Sequence, residues 1–418
     1  MFGIGVSMPA PLVALWILLA VLAVMMVAFQ MLPTQRLVRR LRPVWDGAGI
    51  TKSEVVGVGD KRRTVRHRPS VSGLKKLDGK SLSFVVCPNP GMTVEDIVGC
   101  ADAIRDALRV QEVKVVPLGG GRVRVEVYNR GAAPAKYGLA ELSGINWVES
   151  VKAHGGAGSG RLLLGRDDSG ALQWVNLGHT LVVGATGSGK GSVLWRYVMS
   201  AVEVFGSTGG GVRLFGIDPK RAELAGVGGA FKRVAFDGQD ILDVLEEVLG
   251  VMKERQQEGR RTFVHDVEHP LVLLVIDEFN ALSVMEDRKW QSAVKAGLQQ
   301  ILSQGRSAGV YVLAAAQQPQ KETLGPYRPH FMNRICLRVE SAQEVDMVLG
   351  AGAVELGACA HQIAPATESN GYATAGLAYV RTDGEPAPVR VRAPYVSDED
   401  ILQWVEDVES MKGTSHGN

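Results

Sequence analysis

Cysteine is scarce. Only Cys87, Cys100, Cys336 and Cys359 occur among 418 residues. None forms a CxxC pair, so neither a disulfide framework nor a zinc module is expected. They read as small buried residues of a reducing compartment. Internal repeats and low-complexity segments are also missing. Net charge is nearly so, at +2 from 46 basic and 44 acidic residues. That balance hides an asymmetry, with basic residues clustered early and the final stretch acidic. With 46% hydrophobic and 22% charged residues, the chain is long and apolar enough for two or three cored domains and some membrane content.

Charge is absent altogether from Leu12 to Phe29, LVALWILLAVLAVMMVAF. At 1.5 Å per residue this run covers about 27 Å, and extension to Leu32 spans a hydrocarbon core. No basic residue precedes it, as a cleavable signal peptide would require. Arg36, Arg39, Arg40 and Arg42 follow it, which puts the N-terminus outside and the remainder in the cytoplasm. Residues 1–35 are therefore expected to be a single-pass anchor in the cell membrane. Residues 36–80 are basic, most densely at Lys61, Arg62, Arg63, Arg66 and Arg68. They read as a linker near anionic headgroups rather than as a non-specific DNA contact.

Residues 81–150 read as a small α+β domain of βαββ type. Leu82–Cys87 alternates as a strand, and Thr93 with Asp96 makes a capping box. Ile97, Ala101, Ile104 and Leu108 fall on one helix face. Val113–Val116 and Val123–Val127 are strands around Leu118–Gly121. No residue here carries catalytic chemistry, so scaffolding or oligomerisation is expected. HGGAGSG at 154–160 reads as a hinge. Residues 155–396 then alternate strands with long helices, the pattern of a mainly parallel sheet. Strands are expected at Val212–Ile217, Arg233–Phe236, Leu271–Ile276, Val310–Ala315 and Arg334–Val339, with a helix over Gln239–Gln256. Residues 397–418 form a C-terminal helix and tail, capped by Ser397 and Asp400.

The chain is organised around HTLVVGATGSGKGS, His179–Ser192. Strand, glycine-rich loop and helix follow one another as a P-loop requires. Gly184, Ala185, Thr186, Gly187, Ser188 and Gly189 would wrap backbone amides around a phosphate, helped by the positive helix end. Lys190 supplies a mobile charge for the β- and γ-phosphates. One part is missing: the Ser or Thr that normally follows the lysine and binds Mg²⁺ is Gly191, and Ser192 stands next as a substitute. LVLLVIDEFN (271–280) is an apolar strand ending in two carboxylates. Asp277 is placed to hold Mg²⁺ and Glu278 to orient and deprotonate a water. Gln317 follows the next strand as a γ-phosphate sensor. Arg306 is either a finger reaching a neighbouring subunit's nucleotide or a surface arginine. Asp218 is either part of the site or a helix cap. The nucleotide implied is ATP, with Mg²⁺.

Four segments in order resemble the FtsK/SpoIIIE family of membrane-anchored DNA-pumping ATPases. They are GATGSGK at 184–190, IDPKRAEL at 217–224, VIDEF at 275–279 and GRSAGVYVLAAAQQP at 305–319. Asn333–Ile335, GAVELG at 352–357 and PNPGMTVEDIVGCADAIRDAL upstream fit as well. The resemblance implies a RecA-like P-loop NTPase core in a hexameric ring around double-stranded DNA. ATP would lie between subunits, with Lys190, Asp277 and Glu278 from one and Arg306 from the next. The single anchor and short chain resemble plasmid-transfer members, which implies conjugative transfer, or else chromosome movement, with accessory transfer proteins as possible partners. Three departures stand out: Gly191, Gln318 where the family usually has a pore-facing arginine, and Ala342 where it usually has a lysine. Lys321 is a substitute for the lost pore charge. The family's winged-helix DNA reader is not seen, so no strong sequence preference is expected. Secretion-type motors that move proteins share the core and form the alternative, as does a scaffold with weakened hydrolysis.

Overall fold

Strand Leu271–Ile276 is buried at every position. A strand achieves this only when helices cover both faces of its sheet. The computed structural model describes residues 33–56, 62–76, 81–110, 112–128, 136–142, 160–168, 170–206, 211–259, 263–385 and 387–414. The apolar run Leu12–Phe29 and nearly all of the 154–160 hinge lie outside them. Among the described residues no helix is long and apolar enough to cross a membrane. The chain divides into two units, Met1–Arg130 and Gly131–Asn418.

In the first unit, helix α1 (residues 33–47) precedes strands β1 (Lys52–Val56), β2 (Arg63–His67), β3 (Ser70–Lys76) and β4 (Ser81–Cys87). Short helices α2 (Val94–Val98) and α3 (Ala101–Leu108) follow, then β5 (Glu112–Gly119) and β6 (Arg122–Tyr128). The main sheet is antiparallel, in the order β3-β4-β6-β5. The expected βαββ unit is present, but the described part of the linker expected over 36–80 is structured: α1 enters that unit's core and β3 joins its sheet, while β1 and β2 pair separately. Leu37, Leu41, Val44 and Trp45 share one core with Phe84, Ile97, Ile104 and Val125. They lie on one face of α1 at helical spacing, and Arg36, Arg39, Arg40 and Arg42 occupy its exposed face. Arg68 is also engaged, donating to both Asp46 carboxylate oxygens at 2.8 Å. The helix expected from Ile97 to Leu108 is two helices. Gly99 ends α2 and Cys100 caps α3, while Thr93 and Asp96 make the expected capping box.

The second unit runs β7 (Arg161–Asp167), β8 (Leu172–Asn176), β9 (Thr180–Val183), α4 (Lys190–Gly206), β10 (Val212–Ile217), β11 (Arg233–Ala235) and α5 (Gly238–Gln257). It continues with β12 (Leu271–Ile276), α6 (Arg288–Gln304), β13 (Val310–Ala316), β14 (Asn333–Cys336), α7 (Ala342–Leu349), β15 (Leu377–Thr382), β16 (Val389–Arg392) and α8 (Asp398–Thr414). One sheet holds all ten strands in the order β11-β10-β12-β13-β9-β14-β15-β16-β7-β8. Pairings from β11 to β14 are parallel, as expected. The remaining four are antiparallel.

The two faces of β12 divide the core. Val272, Leu274 and Ile276 pack with residues of α5, α6 and α7, such as Ile241, Ile301 and Val345. Leu271, Leu273 and Val275 pack with α4 and α8. Helix α4 is buried almost all round from Val193 to Ala201, as a helix without a solvent face must be. Each large apolar side chain buried this way contributes about 1.5–3 kcal/mol. Helix α8 is not a separate tail. Its Trp404 meets Trp195 of α4 edge-on at 5.8 Å between ring centroids, and Val405 and Val408 join the same core. Its start is capped as expected, Ser397 Oγ accepting from the Asp400 N–H at 3.2 Å.

His179, just ahead of β9, is fully buried. Its Nδ1 accepts from the Val312 N–H at 3.0 Å, which only a neutral ring can do. Burial, with Arg306 and His330 adding to it, pushes its pKa down to about 3. An unfolded histidine titrates near 6.5, so below that pH the unfolded chain binds the extra proton. Stability should therefore fall by about 1.4 kcal/mol per pH unit as pH drops from about 6 toward 4. Denaturant melts across this range should show the slope, and His179→Gln should flatten it.

Candidate functional site

Strands β9 and β12 are not neighbours. β13 runs between them, and all three are parallel. Their C-terminal ends therefore emerge on one edge, where parallel sheets bind ligands. β9 delivers the glycine loop, β12 delivers Asp277 and Glu278, and β13 delivers Gln317 between them. The geometry follows: Lys190 Nζ lies 3.6 Å from Asp277 Oδ1 and 4.0 Å from Glu278 Oε2.

Asp277 is 3% exposed, and its Oδ1 has no hydrogen-bond partner among the described residues. Burial pushes its carboxyl up, and Lys190 pulls it back. Glu278 stands at φ 58°, a left-handed conformation that costs a non-glycine residue about 1–3 kcal/mol. Its carboxylate is held from two sides. Lys220 Nζ lies 2.9 Å from Oε2, and the Gln317 backbone N–H donates to Oε1 at 3.4 Å. Strain sustained by such restraints marks a positioned functional group.

The loop itself divides. The Gly184 and Ala185 amides, expected to face phosphate, instead donate to Ala316 O at 3.1 Å and Arg338 O at 2.9 Å. They fasten the loop to its neighbours. Ser188 N–H turns back to Ala185 O at 3.1 Å, and its buried hydroxyl has no hydrogen-bond partner among the described residues. Gly187, Gly189 and the first turn of α4 remain for an anion. Gly189 must be glycine: its φ is 91°, and a Cβ there would collide with the Gly376 backbone nitrogen. Thr186 and Gln317 line a cavity of about 230 Å³ with Arg338 and Glu340. A larger one, about 470 Å³, abuts Gly187 and Gly189 and is walled by Tyr372 and Tyr395. Lys136 Nζ lies 4.8 Å from the Tyr395 ring centroid at its edge.

One sequence expectation changes. Ser192 is not oriented as a spare cation ligand, because its hydroxyl accepts from Val396 N–H at 3.2 Å. Arg306 is exposed and precedes β13, on the edge opposite Gln317. Seven strand residues at about 3.3 Å each put it roughly 20 Å from the loop, so within one copy it does not join Lys190. Asp218 caps no helix, since none lies between β10 and β11; it ties down the loop that follows β10. Fully buried, it accepts from the backbone N–H groups of Lys220, Glu223 and Leu224 at 2.9–3.1 Å. It thereby fixes the backbone that carries two further residues of the site, Lys220 and Glu223. Their only signal in the sequence is membership of the IDPKRAEL segment. Burial and Asp277 push the Glu223 carboxyl up, against Lys190. Tyr372, Tyr395 and Lys136 carry no sequence signal.

Among the described residues, no three or more His, Cys, Asp or Glu side chains form a metal site on their own. Mg²⁺ needs none, since it commonly takes one or two carboxylates and fills its shell with phosphate oxygens and water. Asp277 Oδ1, which faces Lys190 at 3.6 Å without a hydrogen bond among the described residues, suits that arrangement.

The fold and this edge define an α/β protein with a P-loop facing an acidic strand end. Residues 161–270 match the FtsK/SpoIIIE family model. It is similar to the DNA translocase FtsK of Sporosarcina ureae, at 26% identity over 347 residues, 76% of this chain and 41% of that one. Similarity to DNA translocase FtsK of Bacillus anthracis is 25% over 357 residues, 78% and 41% of the two chains. The chain thus spans about two-fifths of the length of these curated relatives. Among solved structures, the pCW3 conjugation coupling protein TcpA, in its monomer form with ATPγS, shares the fold. The TM-score is 0.58 at 14% identity, over 90% of this chain and 99% of that one.

Proposed function

We propose that the protein is an ATP-driven translocase of double-stranded DNA, anchored in the membrane and working as a RecA-like hexameric ring in conjugative plasmid transfer or chromosome movement. The observation that carries its ATP chemistry is the meeting of Lys190 with Asp277 and Glu278 on the sheet edge that also presents the glycine loop, and similarity to DNA translocases supports the DNA substrate. Phosphoryl transfer asks for positioning and charge neutralisation more than covalent chemistry. Lys190 leaves the carboxylates for the β- and γ-phosphates when nucleotide enters. Glu278 orients the attacking water and takes its proton, with Lys220 and the Gln317 amide fixing its aim. The bound cation supplies charge neutralisation at the phosphates, and Asp277 is a residue to hold it. The large cavity beside Gly187 has room for a nucleoside. Gln318 and Lys321, both exposed after β13, are the polar and cationic candidates for the DNA path.

The test is the ATPase rate of the purified full chain with and without duplex DNA at low salt. Stimulation is expected, and an active ring indifferent to DNA would overturn the reading. Stimulation by a peptide instead would select the protein-exporting alternative.

Arg306 acts between copies in this proposal, since its own loop is out of reach. Arg306→Ala should bind ATPγS normally and lose turnover by about 10³-fold, the usual worth of an arginine finger. Mixing it with wild type should depress the rate more than in proportion to its share. Normal hydrolysis by the variant would make Arg306 a surface residue.

A further inference from the structure

Residue 191 has no side chain where P-loops carry the hydroxyl that binds the cation. The space is taken. A Cβ built on Gly191 would lie 2.5 Å from Glu223 Oε1 and 2.7 Å from Oε2. A serine could not be seated there unless Glu223 moved. The backbone under Glu223 is held in place, its N–H donating to buried Asp218 at 3.0 Å, with Leu224 N–H on the same oxygen at 2.9 Å, so a serine at 191 would have to turn the Glu223 carboxylate aside. The other hydroxyl nearby, that of Ser192, is engaged with Val396. Asp277 Oδ1 is buried in the same site without a hydrogen-bond partner among the described residues.

We infer that Glu223 stands in for the missing hydroxyl as an oxygen ligand of the divalent cation that accompanies the nucleotide. The inference rests on the nucleotide reading of the site. Its chemistry is consistent, because hard cations take carboxylate oxygens readily. The exchange of a neutral ligand for an anionic one has a cost and a gain. Without cation, Glu223 adds to the repulsion that Asp277 and Glu278 exert on a triphosphate. With cation, that repulsion becomes attraction. Nucleotide affinity should depend on the cation more steeply than a hydroxyl ligand would allow.

The experiment is calorimetric binding of ATPγS to the purified full chain in excess Mg²⁺ and in EDTA. Mn²⁺ spin resonance reports the metal directly. Wild type should bind at least tenfold more tightly with Mg²⁺. Glu223→Gln should lose most of that ratio while binding in EDTA equally well or more tightly, and its Mn²⁺ signal should shift. Gly191→Ser with Glu223→Ala, which puts a hydroxyl into the vacated space, should recover cation dependence. If Glu223→Gln keeps the wild-type ratio, or weakens binding equally in Mg²⁺ and EDTA, Glu223 is a structural residue and the inference fails. If wild type binds no ATPγS in either condition, the nucleotide reading fails first.

Discussion

Lys190→Ala is expected to cut ATPγS affinity by about 10–100-fold, the value of one or two charge-assisted hydrogen bonds. Turnover should fall by a further 10²–10³-fold or more, because the ammonium counters charge that builds up in the transition state. The structure adds a second consequence. Lys190 is the cation beside the 3%-exposed Asp277. Removing one partner of a buried ion pair leaves the other charge uncompensated. Asp277, already pushed up by burial, then has less reason to stay ionised, and a proton is expected to replace the lost ammonium. Filter retention of labelled ATPγS and steady-state hydrolysis measure the two losses. Lys190→Arg should restore part of the affinity but little turnover. An alanine variant that hydrolyses ATP at the wild-type rate would remove the P-loop from the chemistry altogether.

Glu278→Gln should behave differently. The amide keeps the size of the carboxylate and still accepts the Gln317 N–H. Its ion pair with Lys220 goes, at small cost because Lys220 is 46% exposed and stays solvated. What disappears is the base. Turnover should drop by about 10²–10⁴-fold while nucleotide remains bound and uncleaved. Single-turnover assays with unlabelled chase should show retained ATP, and loss of binding would assign Glu278 to the fold rather than to the reaction. The backbone strain at φ 58° persists in the variant, so its melting temperature should stay near that of wild type.

Much of this site is legible in the amino-acid sequence. The strand LVLLVI can only be two-side buried, and the residues that end it are then forced to the sheet's edge. The P-loop's glycines and lysine announce themselves by spacing. Other parts are illegible for physical reasons. Helix α1 hides because its four exposed arginines dominate local composition, although Leu37, Leu41, Val44 and Trp45 repeat at helical spacing. β16 hides because VRVR looks solvated. Arg390 and Arg392 are nonetheless buried, their charge met by Asp168 at 2.7 Å and by the Ala375 carbonyl at 2.7 Å. Those partners lie elsewhere along the chain, and no local pattern encodes them. The contact between Gly191 and Glu223 is hidden in the same way. Each residue is visible in its own motif, but only the folded loop after β10 shows that one fills the other's space.

The order of strands in the large sheet has a consequence for synthesis. β7, which precedes the P-loop in sequence, reaches the rest of its sheet only through β16, and the Ser192 hydroxyl is satisfied by Val396, 204 residues further on. A nascent chain on the ribosome therefore carries its glycine loop and lysine long before the strand and helix that close the sheet around them have been translated. Until β16 and α8 emerge, such an intermediate should bind nucleotide poorly and expose α4's apolar surface to chaperones.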